Sequence, residues 1–175
     1  LHEPISSGSF SESRKDAVEL ITEFAYSAHS QLLKNKSIVT KQRNGKIPNN
    51  PVSGEVGVLR KEAVALGVIK IKKDLDKEFT LFVKHNALFA ALLEDLIELF
   101  DVYAVVRNPM SVLVSWQTVD LPVHFGRLPM GEKFDKKLSS QLRTTESVLE
   151  KQLLVLGWFY KRFNDFINPS RIIRY

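Results

Sequence analysis

Arg107, Ser111 and Ser115 are the residues whose types and spacing best suit chemistry on an anion. In DVYAVVRNPMSVLVSW the arginine closes a nearly continuous apolar run. Asn108 can then cap a helix, and Pro109 suits its first position because the missing N–H costs nothing there. Open parallel sheets bind ligands beyond the carboxyl ends of their strands, where loops lead into helices. A guanidinium at such a place, beside a helix N-terminus with unused N–H groups, is well placed for a phosphate. Ser111 and Ser115 stand four apart on one helix face, so a hydroxyl can join the same anion. A plainer use of these residues stays open: Arg107 satisfying strand-end carbonyls, and Ser115 bonding back within its helix.

Other chemistry is narrower. His124 and Arg127, in LPVHFGRLP, could line an acceptor pocket or serve as ordinary loop polarity. His2 and His29 have no partner at metal-ligand spacing, and neither H-x-x-x-H nor H-E-x-x-H occurs, so no metal site is expected. The chain has no cysteine, which excludes a disulfide framework, a cysteine nucleophile and a thiolate metal site. No serine sits in a G-x-S-x-G turn, so a hydrolase of that kind has no support. Trp116, Trp158 and Tyr160 fall on helical apolar faces and read as core. The basic stretch from Lys34 to Gly57, with Lys36, Lys41, Arg43 and Lys46, reads as a solvated loop or as cover for an anionic ligand.

These residues must be held by a fold of 175 residues, long enough for one domain with a real core. At 44% apolar and 26% charged the chain is globular rather than disordered. A net charge of +5 suits contact with anions but is too small to argue for nucleic acid. No apolar run is long enough for a membrane span, and LHEPISSGSF lacks the pattern of a signal peptide. With no cysteine, that points to the cytoplasm. Leu1 and the abrupt stop after RIIRY are expected of a segment cut from a longer protein.

Residues 1–5 read as a strand end. Ser13, with Asp16 three residues on, predicts the start of a helix whose Ala17, Ile21, Phe24, Ala28 and Leu32 repeat at helical spacing. GVIKIKK and FTLFVKH read as strands, NALFAALLEDLIELF as an amphipathic helix, and DVYAVVR as a strand buried on both faces. Strand, helix and strand in that order predict a right-handed parallel crossover. A long helix follows from about Lys136 to Phe166, then RIIRY as a further strand. The expected fold is therefore a single α/β domain over residues 1–175, with a central, mostly parallel sheet flanked by helices.

RNPMSVLVSW resembles the 3′-phosphate-binding segment of the sulfotransferases that use 3′-phosphoadenosine 5′-phosphosulfate. In that family an arginine ends a central strand and a serine eight residues later shares the 3′-phosphate, the spacing of Arg107 and Ser115. FVKHNALFAALLEDLIELF resembles the strand and helix before that segment, and RIIRY the start of the family's R-I-x-R-Y-E-D-L-type strand. About half the chain is covered. The family's phosphosulfate loop, a Gly/Ser/Thr-rich turn with a Lys or Arg, is absent and would lie upstream of Leu1.

The resemblance implies a P-loop-type architecture and transfer of a sulfuryl group from the nucleotide donor to a small-molecule or glycan acceptor, at a hydroxyl or amine. Such a step needs a base and positive charge against the sulfate. Two candidate bases are implied, and the plainer uses stay open for both: a strand-end carboxylate paired with a loop lysine, and a histidine capping the helix that follows. Glu3, in LHEP, lies where protein-tyrosine and heparan-type relatives carry a catalytic glutamate. His85, in FVKHN, lies near the catalytic histidine of cytosolic relatives, although their pattern is Lys-Thr-His and here His85 follows Lys84 directly. Two other readings stay open: a nucleotide kinase-like phosphotransferase, and a non-catalytic module that binds an anion or partner through its basic loop.

Overall fold

The computed structural model describes residues 13–55 and 57–175. Glu3, His2 and the strand end read at residues 1–5 lie outside the described residues. The chain divides into two compact units: residues 13–53 with 62–85, and residues 54–61 with 86–175.

The first unit opens with helix α1 (Arg14–Asn35). It begins where expected, since the Ser13 hydroxyl accepts from Asp16 N–H at 3.4 Å. Ala17, Ile21, Ala28 and Leu32 form its buried stripe. The helix stops at Lys36, which takes a left-handed conformation. Strand β1 (Ser37–Gln42) follows and pairs antiparallel with β4 (Ala65–Lys70), Val39 opposite Val68. The basic loop expected over Lys34 to Gly57 is therefore in part a strand. Its run Ile38-Val39-Thr40 is β-branched, and that preference outweighs the flanking charges. The two-residue strand β2 (Val52–Ser53) also belongs here, and β3 (Lys61–Glu62) falls at the boundary between the units.

FTLFVKH is not a strand. Residues 79–85 alternate half-buried with exposed, the period of an extended chain, yet no described strand bonds to them. The Phe79 ring instead stacks on His29 of α1, centroids 4.3 Å apart, and its carbonyl accepts from His29 Nε2 at 3.3 Å. Alternation reports half-burial. It does not say whether a backbone partner exists.

The second unit holds helices α2 (Asn86–Ala91), α3 (Leu93–Leu96), α4 (Pro109–Trp116), α5 (Pro129–Phe134), α6 (Lys136–Thr144) and α7 (Val148–Phe166). Arg162 of α7 donates to the carbonyls of Ala90 at 2.9 Å and Ala91 at 3.3 Å, closing the end of α2. It also pairs with Glu94 at 2.9 Å. The long helix expected over residues 136–166 is two helices. Thr145 turns extended and Ser147 caps α7, its hydroxyl accepting from Glu150 N–H.

Strand β5 (Ala104–Val106) pairs parallel with β6 (Ile172–Arg174), Val105 opposite Ile173. One side of this pair packs on Leu93, Ile167 and Phe163. Val105 is 63% exposed, so the strand expected to be buried on both faces is covered on one. A second cluster joins Leu128, Leu138, Leu142 and Val155 with Trp116 and Trp158 around them. Gly126 holds φ 66°, and a Cβ there would stand 2.3 Å from Lys151 Cβ, so this turn requires glycine.

The expected central, mostly parallel sheet of P-loop type is overturned. About half the chain is helical, and among the described residues strands occur only as two-stranded pairs. The crossover from FTLFVKH into DVYAVVR cannot form, because its first strand has no ladder. DVYAVVR finds its parallel neighbour about 70 residues later, in RIIRY.

Candidate functional site

The turn from β5 into α4 is built by its own sequence and then clamped by distant parts of the unit. Asn108 caps α4 as its type predicts, Oδ1 accepting from Met110 N–H at 2.9 Å and Ser111 N–H at 3.4 Å. Replacing Asn108 with Ala is expected to lower stability by about 1 kcal/mol, read from the urea midpoint. Tyr175 N–H donates to Val106 O at 2.9 Å, and the Tyr160 hydroxyl donates to Arg107 O. The first bond extends the β5–β6 pairing by one residue, and the second ties the backbone of Arg107 to α7.

Its side chain is left outward. Arg107 is exposed, its guanidinium carbon 5.8 Å from the Tyr175 ring centroid, within reach of a cation–π contact. Among the described residues it donates to no strand-end carbonyl and forms no ion pair. Ser115 is half-buried and Ser111 exposed. Neither hydroxyl has a hydrogen bond among the described residues, so Ser115 does not bond back within its helix. The plainer uses of Arg107 and Ser115 are thus not the ones taken. The capped N–H groups of Met110 and Ser111 are, however, already engaged. What the turn offers an anion is the Arg107 guanidinium and the Ser111 hydroxyl, with Ser115 one helical turn further along α4.

His124 and Arg127 are employed elsewhere. His124 Nδ1 donates to Trp116 O at 3.1 Å, and its own carbonyl accepts from Gln152 Nε2 at 2.9 Å. Gln152 is fully buried, donates also to Val123 O at 3.0 Å and accepts from Gln117 Nε2 at 2.8 Å. This network ties the end of α4 to the following turn and to α7. Its trace in the sequence is a glutamine on the apolar stripe of α7, between Val148 and Val155. Tyr160, read as core, also carries the hydroxyl that holds Arg107.

Arg127 grips Glu132 with Nε at 2.9 and 3.0 Å and Nη2 at 2.6 Å. Burial alone would push the Glu132 carboxyl up. The Arg127 guanidinium and the Leu128 N–H override it and hold Glu132 below the ordinary carboxylate range. Asp135 is likewise lowered against burial, by the Leu138 N–H and Trp158 Nε1. Carboxyls with depressed folded-state pKa contribute stability that is present above about pH 4 and lost as pH falls through the lower folded value. The urea midpoint should therefore drop on acidification below about pH 4, and Asp135→Asn should flatten that slope. An unchanged slope would remove Asp135 from the account.

His85 closes the first unit, half-buried and directly before α2, while Arg107 and Ser115 both belong to the second. No group of three His, Cys, Asp or Glu among the described residues could hold a metal. Among them, too, no helix is long and apolar enough to cross a membrane. No family model matches the chain, and neither a curated protein nor a solved structure matches it.

Proposed function

We propose that the β5–α4 turn binds the 3′-phosphate of 3′-phosphoadenosine 5′-phosphosulfate, and that the protein transfers a sulfuryl group to a hydroxyl or amine acceptor. One observation carries this reading: among the described residues the Arg107 side chain forms no ion pair or hydrogen bond and the Ser115 hydroxyl no hydrogen bond, and Arg107 follows a strand whose parallel neighbour is RIIRY. The donor set fits a phosphate dianion, since guanidinium–phosphate contacts are short and charge-assisted and a hydroxyl adds a neutral donor. When bound, the nucleotide supplies the activated sulfuryl group, and adenosine 3′,5′-bisphosphate is the leaving species. Arg107 binds and orients its 3′ end, and Ser115 fixes the register through one hydrogen bond.

The acceptor must lose a proton as it attacks, to a carboxylate or an imidazole. Glu3 and His85 are the two candidates, and substituting each in turn assigns the role. A loss of turnover with nucleotide binding intact marks the base.

The test is calorimetric titration of the full chain with adenosine 3′,5′-bisphosphate and with 5′-AMP, which lacks the 3′-phosphate. A preference for the bisphosphate of about tenfold or more, about 1.4 kcal/mol, is expected. Equal binding, or none, overturns the reading and favours a module that binds a different anion.

A further inference from the structure

Residues 79–85 of the first unit keep the alternation of an extended chain and pair with no strand among the described residues. Phe79, Leu81 and Val83 are half-buried, while Thr80, Phe82 and Lys84 are exposed, Phe82 by 66%. The backbone of Phe79 is in use. Its N–H donates to Asp76 O at 3.2 Å, closing a turn at Lys77 and Glu78, and its carbonyl accepts from His29 Nε2 at 3.3 Å. Among the described residues, no backbone N–H or carbonyl of residues 80–84 has a hydrogen bond. Along an extended chain, alternate residues turn these groups to opposite edges. Phe79 belongs to one edge, so Thr80, Phe82 and Lys84 offer their backbone groups on the other. An open edge of this kind is a template for a further strand.

The side chains specify which strand fits. Laid antiparallel on itself about Leu81, the segment sets Phe79 against Val83 and Thr80 against Phe82. At each end it sets Glu78 against the partner's Lys84. Glu78 and Lys84 are both exposed and form no ion pair among the described residues. The two-fold axis makes each of these matches occur twice. Thr80 and Phe82 supply the hydrogen-bonded pairs of this register, so the engaged groups of Phe79 are not called on. The two exposed Phe82 rings come to diagonal positions on one face, within reach of each other. Sliding the copies by two residues one way sets Lys84 against Thr80 and loses the charge match. Sliding them the other way sets Lys84 against Asp76, whose carboxylate already accepts from Glu78 N–H at 2.8 Å.

We propose that the protein self-associates through residues 78–84, as an antiparallel, two-fold symmetric strand pair between two copies of the chain. A ladder this short gives a weak dimer that forms as concentration rises, not a permanent one. The segment shares no residue with the β5–α4 turn, so the proposal stands whether or not that turn takes a nucleotide.

The test is sedimentation velocity on the full chain, from about 1 to 300 μM, where a monomer should pass into a dimer. Glu78→Lys alone and Lys84→Glu alone each set like charges against one another at both ends of the ladder. Each should weaken dimerisation about tenfold. Mixed in equal amounts, the two variants should dimerise again, because every end then joins a lysine to a glutamate. That recovery also shows both variants to be folded. Both substitutions in one chain restore the match as well, and that protein should dimerise as the parent does. A parent that stays monomeric over the whole range would overturn the proposal. So would a dimer indifferent to the single charge changes, or single variants that remain monomeric when mixed.

Discussion

Gln152→Leu should lower the stability of the second unit by about 2–4 kcal/mol, although the substitution nearly conserves volume. Gln152 is fully buried on α7 and makes three hydrogen bonds: two donated to the carbonyls of Val123 and His124, one accepted from Gln117. Leucine fills the space but leaves the His124 carbonyl without its donor beside a fully buried position, and an unsatisfied buried group costs about 1–3 kcal/mol. Gln152→Glu should be worse than leucine at neutral pH. It sets a carboxylate oxygen against two carbonyl oxygens, so the group must repel them or take up a proton. Urea midpoints in the order parent, leucine, glutamate are the expected result. A glutamate variant as stable as the parent would show that the donor side of the amide is not what matters.

Arg107→Ala should weaken adenosine 3′,5′-bisphosphate binding by about 1.5–3 kcal/mol, the range for a charge-assisted hydrogen bond. The thermal midpoint should hardly move. Its anchoring lies in the backbone, through Tyr160 and the β5–β6 pairing, while its side chain is exposed. Arg107→Lys should recover only part of the affinity, because an ammonium lacks the paired N–H geometry of the guanidinium. Ser115→Ala should cost less than Arg107→Ala, about 0.5–1.5 kcal/mol for a neutral hydrogen bond. The reading fails if a folded Arg107→Ala protein binds the bisphosphate as the parent does. Tyr160→Phe offers a further probe: it removes the hydroxyl on Arg107 O without touching the guanidinium, so any loss of affinity measures positioning alone.

Several features are legible in the amino-acid sequence alone, because each depends on near neighbours along the chain. The Ser13 cap of α1, the Asn108 cap followed by Pro109, and the strand character of Ala104–Val106 and Ile172–Arg174 are local. They are set by side-chain hydrogen bonds over two or three residues, by the fixed φ of proline and by β-branched runs. Composition alone removes cysteine chemistry. The Ser147 cap, with Glu150 three residues on, is equally readable, but the apolar stripe running past it hides the break between α6 and α7.

Pairing and burial are not local quantities, and contacts between distant segments settle them. FTLFVKH has a strand's alternation and no ladder, since Phe79 packs against His29 fifty residues away. The apolar run ending at Arg107 says that a strand is there. Only the distant RIIRY segment says with what it pairs, and on which side it is covered. His124 and Arg127 read as loop polarity or pocket lining, yet Trp116, Gln152 and Glu132 claim them. The β5–α4 turn and its cap follow from the chain's own chemistry, because caps close within one turn of helix. Whether Arg107 and Ser115 keep their polar groups free there depends on what the rest of the fold brings within hydrogen-bond reach.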